Sequence, residues 1–390
     1  MRLLKTVHIH TNSAFVKNSE RFRGVYFENL VVFISNGKKK YSQDRNILQL
    51  KDSPQDIKKV LSICKDAQLV VLYGLEPIKI GIALCLPESI RIAWRFFGFE
   101  LYDKRRNLYL SQTTQATLGL KNFFWYFNCF RRKECIKEIF ERFAGLVFQN
   151  GKNPSFEKSL KRIDFFLGFS KMEYVNLIQK GYPLPEFVKF PFSPPGDNST
   201  IPDFRLKKNE KLPVIIIGNS RNLANNHLDV ITIINQIPNN DNYNFYLLFS
   251  YGSERYYTKL VRRQVKGKPN FTLLEDFLPR EKFFGLYVKA SALIINSYRQ
   301  MALGNIFTAF KNGVKIYLNE KNLTLHWLRK EGFVIFSLKD LQNDFEKNNI
   351  FLDYYNACHN LNQLKKLSEK YSYRDFQEIL YAKINGGKRQ

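Results

Sequence analysis

The second half of the chain alternates apolar runs with amphipathic segments. Val214 to Ile217 is a continuous apolar run, which is typical of a strand buried on both faces. Val230, Ile233, Ile234 and Ile237 follow at the spacing of one helix face. The pattern then predicts further strands at 245–249, 271–274, 293–295, 314–318 and 334–336, separated by helices at 253–265, 279–289, 302–310 and 323–330. Strands that alternate with helices indicate a parallel, doubly wound α/β sheet.

The first half repeats this pattern with more irregular spacing. Candidate strands cover 7–9, 30–34, 69–72, 90–94 and 163–167. Ser53 and Pro54 have the residue types of a helix N-cap and first turn. A second helix is predicted from Lys171 to Lys180, where Gly181 ends it. The first half is therefore predicted to be a second Rossmann-like domain.

A polar, proline-rich stretch separates the two halves. The stretch "PFSPPGDNSTIPDFRLKKNEK" begins at Pro191 and has the composition of a linker. We expect a first domain at 1–195, a linker at 196–211 and a second domain at 212–370. Residues 371–390 contain "YSYRDFQEILYAKI", which predicts a helix that returns to the first domain.

Composition supports a packed protein of two domains. The chain has 390 residues, of which 44% are hydrophobic and 15% aromatic. Its five cysteines form no CxxC pair, which argues against a disulfide framework or a zinc site and favours a reducing cytosol. The start of the chain lacks the pattern of a signal peptide, and no apolar run approaches the roughly 20 residues of a membrane span.

The formal net charge of +26 indicates an anionic partner. Nucleic acid, acidic lipid headgroups and a phosphorylated substrate all fit such a surface. The joint richness in Lys, Asn, Ile, Phe and Tyr is also what an AT-rich genome produces, and this explanation of the charge stays open.

Small polar residues collect where the second-half strands end. The stretch "IGNSRNLANNH" after the first of these strands offers Gly218, Asn219, Ser220, Asn226 and His227. Ligands of doubly wound sheets bind outside the carboxyl ends of strands, and helix N-termini attract phosphate. A diphosphate site is one interpretation, and an ordinary capped turn is the other.

The later strand ends repeat this chemistry. "SYGSERYY" contributes Tyr251 and Gly252, and "RQMALGN" contributes an arginine for phosphate with polar and small neighbours. "YLNEKN" supplies groups for a ribose or sugar hydroxyl, or a helix cap. The candidates on these last two segments are Arg299, Gln300, Gly304, Asn305, Asn319 and Glu320.

With these motifs, the chain resembles the bacterial TDP-N-acetylfucosamine:lipid II N-acetylfucosaminyltransferase family. The order and spacing of "IGNSRNLANNH", "RQMALGN" and "YLNEKN" match those of the family. In the first half, "WRFFGFELYD", "DFFLGFSKMEY" and "KFPF" resemble segments of that family. The resemblance spans roughly residues 5 to 340. It implies a GT-B-like fold, with two Rossmann-like domains facing a cleft. It also implies an enzyme on the cytoplasmic face of the membrane that moves an amino-deoxy sugar from a dTDP donor to a polyprenyl-diphosphate-linked saccharide.

The same resemblance suggests residues for the acceptor side. Glu100 stands where the family has an aspartate and is predicted to be the general base, with Asp103 as second choice. An ion pair of Glu100 with Arg105 or Arg106 is the structural alternative. Acceptor contacts are assigned to Tyr102 and to Arg95, which replaces a family histidine. His10, at the end of the first strand, is a further acceptor candidate, and a structural role is the other interpretation. Arg221 and Asn222, within "IGNSRNLANNH", stand where the family has a Gly-Asp pair.

An aromatic and basic stretch, "LKNFFWYFNCFRRK", suggests contact with a membrane surface. Aromatic rings and basic side chains together suit an interface with anionic headgroups, although a buried helix with a solvated end is the other interpretation. The predicted membrane residues are Phe123, Phe124, Trp125, Arg131 and Arg132.

Two other function classes remain. A basic nucleic-acid-binding protein would concentrate its charge on one face, whereas here basic residues occur throughout both halves. A different sugar transferase of lipopolysaccharide or capsule assembly would share the same motifs. No cofactor or metal is predicted, because no DxD-type carboxylate pair was identified, and helix N-termini and arginine can hold the leaving diphosphate instead.

Overall fold

The computed structural model describes residues 3–35, 47–102, 108–117, 154–191, 212–252 and 255–386. The chain divides into two compact units. Unit 1 consists of 1–104, 147–192 and 368–390, and unit 2 consists of 105–146 and 193–367.

Unit 1 is built on a parallel sheet. In the described part of the chain this sheet has seven strands in the order β3-β2-β1-β4-β5-β6-β7. The strands are β1 Leu4–His10, β2 Phe27–Ser35, β3 Ile47–Lys51, β4 Leu69–Tyr73, β5 Arg91–Arg95, β6 Phe165–Gly168 and β7 Glu186–Lys189. Because the chain extends from β1 to one side and then resumes at β4 on the other, the direction of winding reverses between β1 and β4.

Helices cover this sheet, and the last one comes from the end of the chain. The unit 1 helices are α1 Pro54–Lys65, α2 Pro77–Cys85, the single turn Phe99–Tyr102, α3 Pro154–Arg162 and α4 Lys171–Gln179, with the final helix at Tyr373–Gly386. The Gln377 side chain of that final helix donates to the carbonyl oxygens of Arg21 and Arg23, both at 2.8 Å. Its neighbour Phe376 packs edge-on against Phe22 and Phe190. Residues 373–386 are therefore part of the unit 1 core.

Unit 2 repeats the architecture with six strands in its described residues. Their order is β10-β9-β8-β11-β12-β13, so the winding reverses between β8 and β11. The strands are β8 Val214–Ile217, β9 Asn244–Leu248, β10 Phe271–Leu274, β11 Ala290–Ile295, β12 Lys315–Leu318 and β13 Phe336–Ser337. The helices are α5 His227–Gln236, α6 Arg255–Val265, α7 Arg280–Lys289, α8 Leu303–Lys311, α9 Leu323–Lys330, α10 Asp340–Glu346 and α11 Tyr354–Lys370. The final helix of the chain, Tyr373–Gly386, is α12.

One short segment lies in a different unit from the one that the sequence suggests. Residues 108–117 fall within the predicted first domain, yet they belong to unit 2. The Ser111 N–H donates to Asn226 Oδ1 at 2.9 Å, and the Ser111 hydroxyl lies 2.6 Å from Asp229 Oδ2. These bonds fix the segment to the start of α5.

The predicted fold class is confirmed, since both sheets are parallel and doubly wound. All six unit 2 strands were predicted, but β3 and β7 of unit 1 were not. Both are edge strands, and each contains only one buried residue. The continuous apolar pattern that marks a two-sided buried strand is therefore missing from them.

Candidate functional site

The winding reversal of unit 2 brings the polar loops after β8 and β11 together. Ligands of doubly wound sheets bind at such a reversal, outside the carboxyl ends of the strands. Gly218 ends β8 with φ +69°, and its N–H donates to the Ile294 carbonyl of β11 at 2.8 Å. A side chain at Gly218 would place its Cβ 2.7 Å from Nε2 of His227, so only glycine fits this turn.

Three asparagines connect the loops after β8, β11 and β12. Asn226 Nδ2 donates to the Asn296 carbonyl at 2.9 Å, and Asn296 Nδ2 donates back to the Asn226 carbonyl at 3.3 Å. Asn319 Nδ2 donates to Asn296 Oδ1 at 2.7 Å. Asn226 and Asn319 were predicted to touch the ligand, but their amides are engaged in holding the loops. Asn296 was not predicted, because nothing local in the sequence shows which asparagine faces another.

His227 is the first residue of α5 and is fully buried. Its backbone N–H donates to the Tyr257 hydroxyl at 2.7 Å, and its Nδ1 lies 3.3 Å from the same oxygen. Burial lowers the pKa of His227 to about 3, although a hydrogen bond with the Ser220 backbone opposes this shift. The His227 ring is therefore neutral at pH 7, and it packs directly against Gly218.

The loop after β11 carries a buried arginine and a strained alanine. Arg299 is 8% exposed, and Ser297 fixes its backbone, since the serine hydroxyl donates to the Arg299 carbonyl at 3.0 Å. Ala302 precedes α8 with φ +60°, a conformation that costs a non-glycine residue about 1–2 kcal/mol. Such strain often occurs at functional sites. Gln300 beside them is half-buried, whereas a Cβ at Gly304 would meet open space.

The loop after β9 packs against the loop after β8. Tyr251 accepts from Asn219 Nδ2 at 3.1 Å, and Arg221 Nε donates to the Gly252 carbonyl at 2.7 Å. Gly252 has φ +119°, and a Cβ there would lie 2.9 Å from the Asn222 nitrogen. Gly252 therefore serves the close approach of the two loops.

A cavity of about 310 Å³ opens at this edge of unit 2. Its lining is apolar and aromatic with a few polar groups, as in most small-molecule sites. It is lined by Asn219, Leu248, Ser250, Tyr251, Leu274, Asp276, Phe277, Leu278, Arg280, Phe283 and Asn305. The sequence predicted Asn219, Tyr251 and Asn305. It missed the segment after β10, although Phe277, 84% exposed, follows an acidic pair at a strand end.

Glu320 lies beside this edge and does not cap the next helix. Its Oε1 accepts from the Lys339 N–H at 3.1 Å. The N-cap of α9 is Asn322, whose side chain accepts from the Thr324 N–H at 3.0 Å. The interpretation of Glu320 as the cap of α9 is therefore wrong. Its half-buried carboxylate accepts from the Lys339 backbone N–H instead.

In unit 1, Glu100 is buried and not on an exposed loop. It is 4% exposed, and its Oε1 accepts from Trp94 Nε1 and the Phe97 N–H, both at 3.2 Å. Its Oε2 has no partner among the described residues. Burial raises the pKa of Glu100 to about 7, so both its protonated and its ionised form are present near neutral pH. Trp94 and Phe97 therefore enclose this carboxyl group, and the alternative partners Arg105 and Arg106 lie outside the described residues.

The other predicted acceptor residues of unit 1 are enclosed as well. The Arg95 guanidinium lies 4.9 Å, 4.0 Å and 4.5 Å from the ring centroids of three phenylalanines, and burial lowers its pKa to about 9. The Tyr102 hydroxyl donates to Glu173. His10 is fully buried and stacks on Tyr73 at 3.9 Å. Their predicted contacts with an acceptor stay predictions.

Sequence reasoning missed a half-buried carboxylate, Glu76, at the unit 1 winding reversal. Thr11 follows β1 and Glu76 follows β4, and these strands are neighbours in the sheet. The Thr11 hydroxyl donates to Glu76 Oε1 at 3.0 Å, and Lys79 Nζ lies 2.6 Å from Glu76 Oε2. The signal was present in "YGLEP", where a glycine and a proline flank a carboxylate after a buried strand.

Several predicted residues lie outside the described residues. These are Asp103 and the membrane segment with Phe123, Phe124, Trp125, Arg131 and Arg132. Within the part of the chain that the structure describes, no helix is long and apolar enough to cross a membrane. The same residues contain no group of three or more His, Cys, Asp or Glu side chains placed to hold a metal ion.

Comparison with known proteins gives matches of structure. No family model matches the chain, and no curated protein sequence does. A glycosyltransferase from Rickettsia africae ESF-5 superimposes with TM-score 0.62 at 10% identity, over 100% of both chains. Anabaena HepE, solved with UDP-glucose, gives TM-score 0.59 at 9% identity, over 98% of this chain and all of HepE. WaaG, a glycosyltransferase of lipopolysaccharide biosynthesis, gives 0.55 at 10% identity, over 98% of this chain and all of WaaG. The chain therefore has the fold of these GT-B glycosyltransferases, two Rossmann-like domains.

Proposed function

We propose that this protein is a glycosyltransferase that takes its sugar from a nucleotide donor bound to unit 2. The observation that carries the proposal is that one edge of the β8–β13 sheet carries a cavity, a glycine turn and a buried arginine. Three features match the parts of a nucleotide sugar. The aromatic cavity suits a base, the loops of Gly218 and Arg299 suit a diphosphate, and Glu320 suits a hydroxyl.

We propose dTDP as the nucleotide and a polyprenyl-diphosphate-linked saccharide as the acceptor, in surface polysaccharide synthesis. Both come from the resemblance of "IGNSRNLANNH", "RQMALGN" and "YLNEKN" to the N-acetylfucosaminyltransferase family. UDP is the competing nucleotide, since HepE was solved with it. Glu100 and Asp103 enter this proposal as general-base candidates from the same resemblance.

The donor placement is tested with Arg299→Ala. Loss of a charged hydrogen bond to the diphosphate should weaken dTDP or UDP binding by about 1.5–3 kcal/mol. Arg263→Ala, on the exposed side of α6 in the same unit, is the matched control and should bind normally. Isothermal titration calorimetry measures both variants with both nucleotides. Equal affinity of Arg299→Ala and wild type would remove the diphosphate from this loop.

We further propose that the protein binds the inner face of the cell membrane peripherally. The support is the charge of +26 and the sequence around Phe123 to Arg132. Co-sedimentation with liposomes should need acidic lipid and weaken with added salt. Replacement of Phe123, Phe124, Trp125 and Arg131 together should abolish it.

A second basic surface supplies the control for the membrane experiment. The described residues of α6 present Lys259, Arg262, Arg263 and Lys266 around an open groove. Replacing Lys259, Arg263 and Lys266 with glutamine should leave liposome binding intact. If this variant loses binding and the aromatic variant keeps it, the membrane contact belongs to α6.

A further inference from the structure

The winding reversal of unit 1 holds a carboxylate that the proposed function has not used. Glu76 follows β4, and its side chain is 30% exposed, whereas Glu100 is 4% exposed. A parallel sheet binds its ligands at this position, so Glu76 lies where an acceptor for unit 1 is expected.

A buried lysine fixes the Glu76 carboxylate. Lys79 is fully buried, and its ammonium donates to Glu76 Oε2 at 2.6 Å, to Thr11 Oγ1 at 2.9 Å and to the Tyr73 carbonyl. These three bonds use all three of its protons. The Thr11 hydroxyl in turn donates to Glu76 Oε1 at 3.0 Å, which closes a ring of hydrogen bonds. Both carboxylate oxygens are therefore oriented, and each keeps a lone pair for another donor.

The backbone next to Glu76 is shaped to leave this carboxylate in place. Gly74 has φ +82°, and a Cβ there would lie 3.2 Å from Glu76 Oε2 and 3.0 Å from the Phe99 ring. A larger residue would therefore press on the carboxylate. Nearby polar atoms also have no partner among the described residues, namely both ring nitrogens of His10 and Oε2 of Glu100. Buried polar atoms usually have partners, so their absence here indicates a site for a polar ligand.

We propose that Glu76 binds the attacking hydroxyl of the saccharide acceptor and takes its proton during transfer, with Lys79 as a positioning residue. In this step the acceptor oxygen forms a bond to the anomeric carbon of the donor sugar, and its proton moves to Glu76. The bond from that carbon to the diphosphate oxygen breaks, and the electron pair leaves with the nucleotide diphosphate. The inference rests on the proposed function and moves the base from Glu100 to Glu76.

The experiment measures nucleotide release from dTDP-N-acetylfucosamine and UDP-glucose, with polyprenyl-diphosphate-linked N-acetylglucosamine as the acceptor probe. Glu76→Gln should lower kcat by about 10²–10⁴-fold, because it keeps the shape but removes the base. Its affinity for dTDP or UDP, measured by calorimetry, should stay within about twofold, as the donor is held by unit 2. Glu88→Gln, an exposed carboxylate after α2, is the matched control and should keep full activity.

A double variant tests the role of Lys79. Lys79→Met alone should lower kcat, and adding it to Glu76→Gln should cause no further loss, because residues that act through one another are not additive. Additive losses would overturn the positioning role.

Two results separate the inference from the function. A normal kcat in Glu76→Gln, with a 10²-fold loss in Glu100→Gln, would return the base to Glu100 and leave the glycosyltransferase intact. Wild-type protein that releases no nucleotide from either donor would overturn the proposed function, and the inference with it.

Discussion

Replacing Gly218 with alanine should damage both the stability of unit 2 and its binding of nucleotide. Two separate costs arise. Alanine at φ +69° costs roughly 1–2 kcal/mol. The added Cβ would also lie 2.7 Å from Nε2 of His227 and 3.4 Å from Cγ of Asn225, and both side chains are buried. Such overpacking typically costs about 1–3 kcal/mol. The free energy of unfolding should therefore fall by about 2–5 kcal/mol.

Gly267 provides a control that separates the two costs. It has φ +78°, close to that of Gly218, but a Cβ there would meet nothing within 4 Å. Gly267→Ala should therefore show only the conformational cost, about 1–2 kcal/mol. Urea unfolding followed by circular dichroism measures the free energy of unfolding of both variants. Calorimetry with dTDP or UDP measures their nucleotide affinity. Affinity should fall at least tenfold in Gly218→Ala and hold in Gly267→Ala. Equal stability losses in the two variants, or unchanged affinity in Gly218→Ala, would refute the reasoning.

Two further predictions concern buried charges. Because burial raises the folded pKa of Glu100 to about 7 from the ordinary 4.5, its ionisation opposes folding. Stability should fall by about 3 kcal/mol as pH rises through that interval. Glu100→Gln should flatten this fall in urea unfolding between pH 5 and 8, and parallel curves for the two proteins would contradict it. Asp344 pairs with buried Lys315 at 2.8 Å, so Asp344→Asn should cost about 3–5 kcal/mol by leaving an unpaired ammonium. Thermal unfolding measures this loss of stability. Glu346→Gln, at an exposed position, is the control, and its stability should change little.

The sequence by itself determined the repeating architecture of both units. A strand covered on both faces must be apolar along its whole length, so runs such as Val214–Ile217 are visible without any tertiary information. Glycines at strand ends are visible for a similar reason. Gly218 adopts a backbone conformation that other residues avoid, and this marks the turn in the sequence itself.

Tertiary structure decided which polar residues are available to a ligand. Asn226 and Asn319 carry the residue types of ligand contacts, yet their amides hold Asn296 in a neighbouring loop. Glu100 was predicted to be the general base, yet Trp94 and Phe97 enclose its carboxyl group. Burial and hydrogen-bond partners depend on segments that are distant in the chain, so local periodicity carries no record of them.

The same reason explains why the half-buried carboxylate of Glu76 was overlooked. Glu76 gains its orientation from Thr11, which is 65 residues away in the sequence, and from Lys79, which burial forces to pair. Only the order of strands, with β1 beside β4, brings Thr11 and Glu76 to the same edge. The sequence specified two doubly wound sheets through local patterns of burial. Their winding reversals, and the side chains that meet there, follow from strand order, which depends on packing between distant segments.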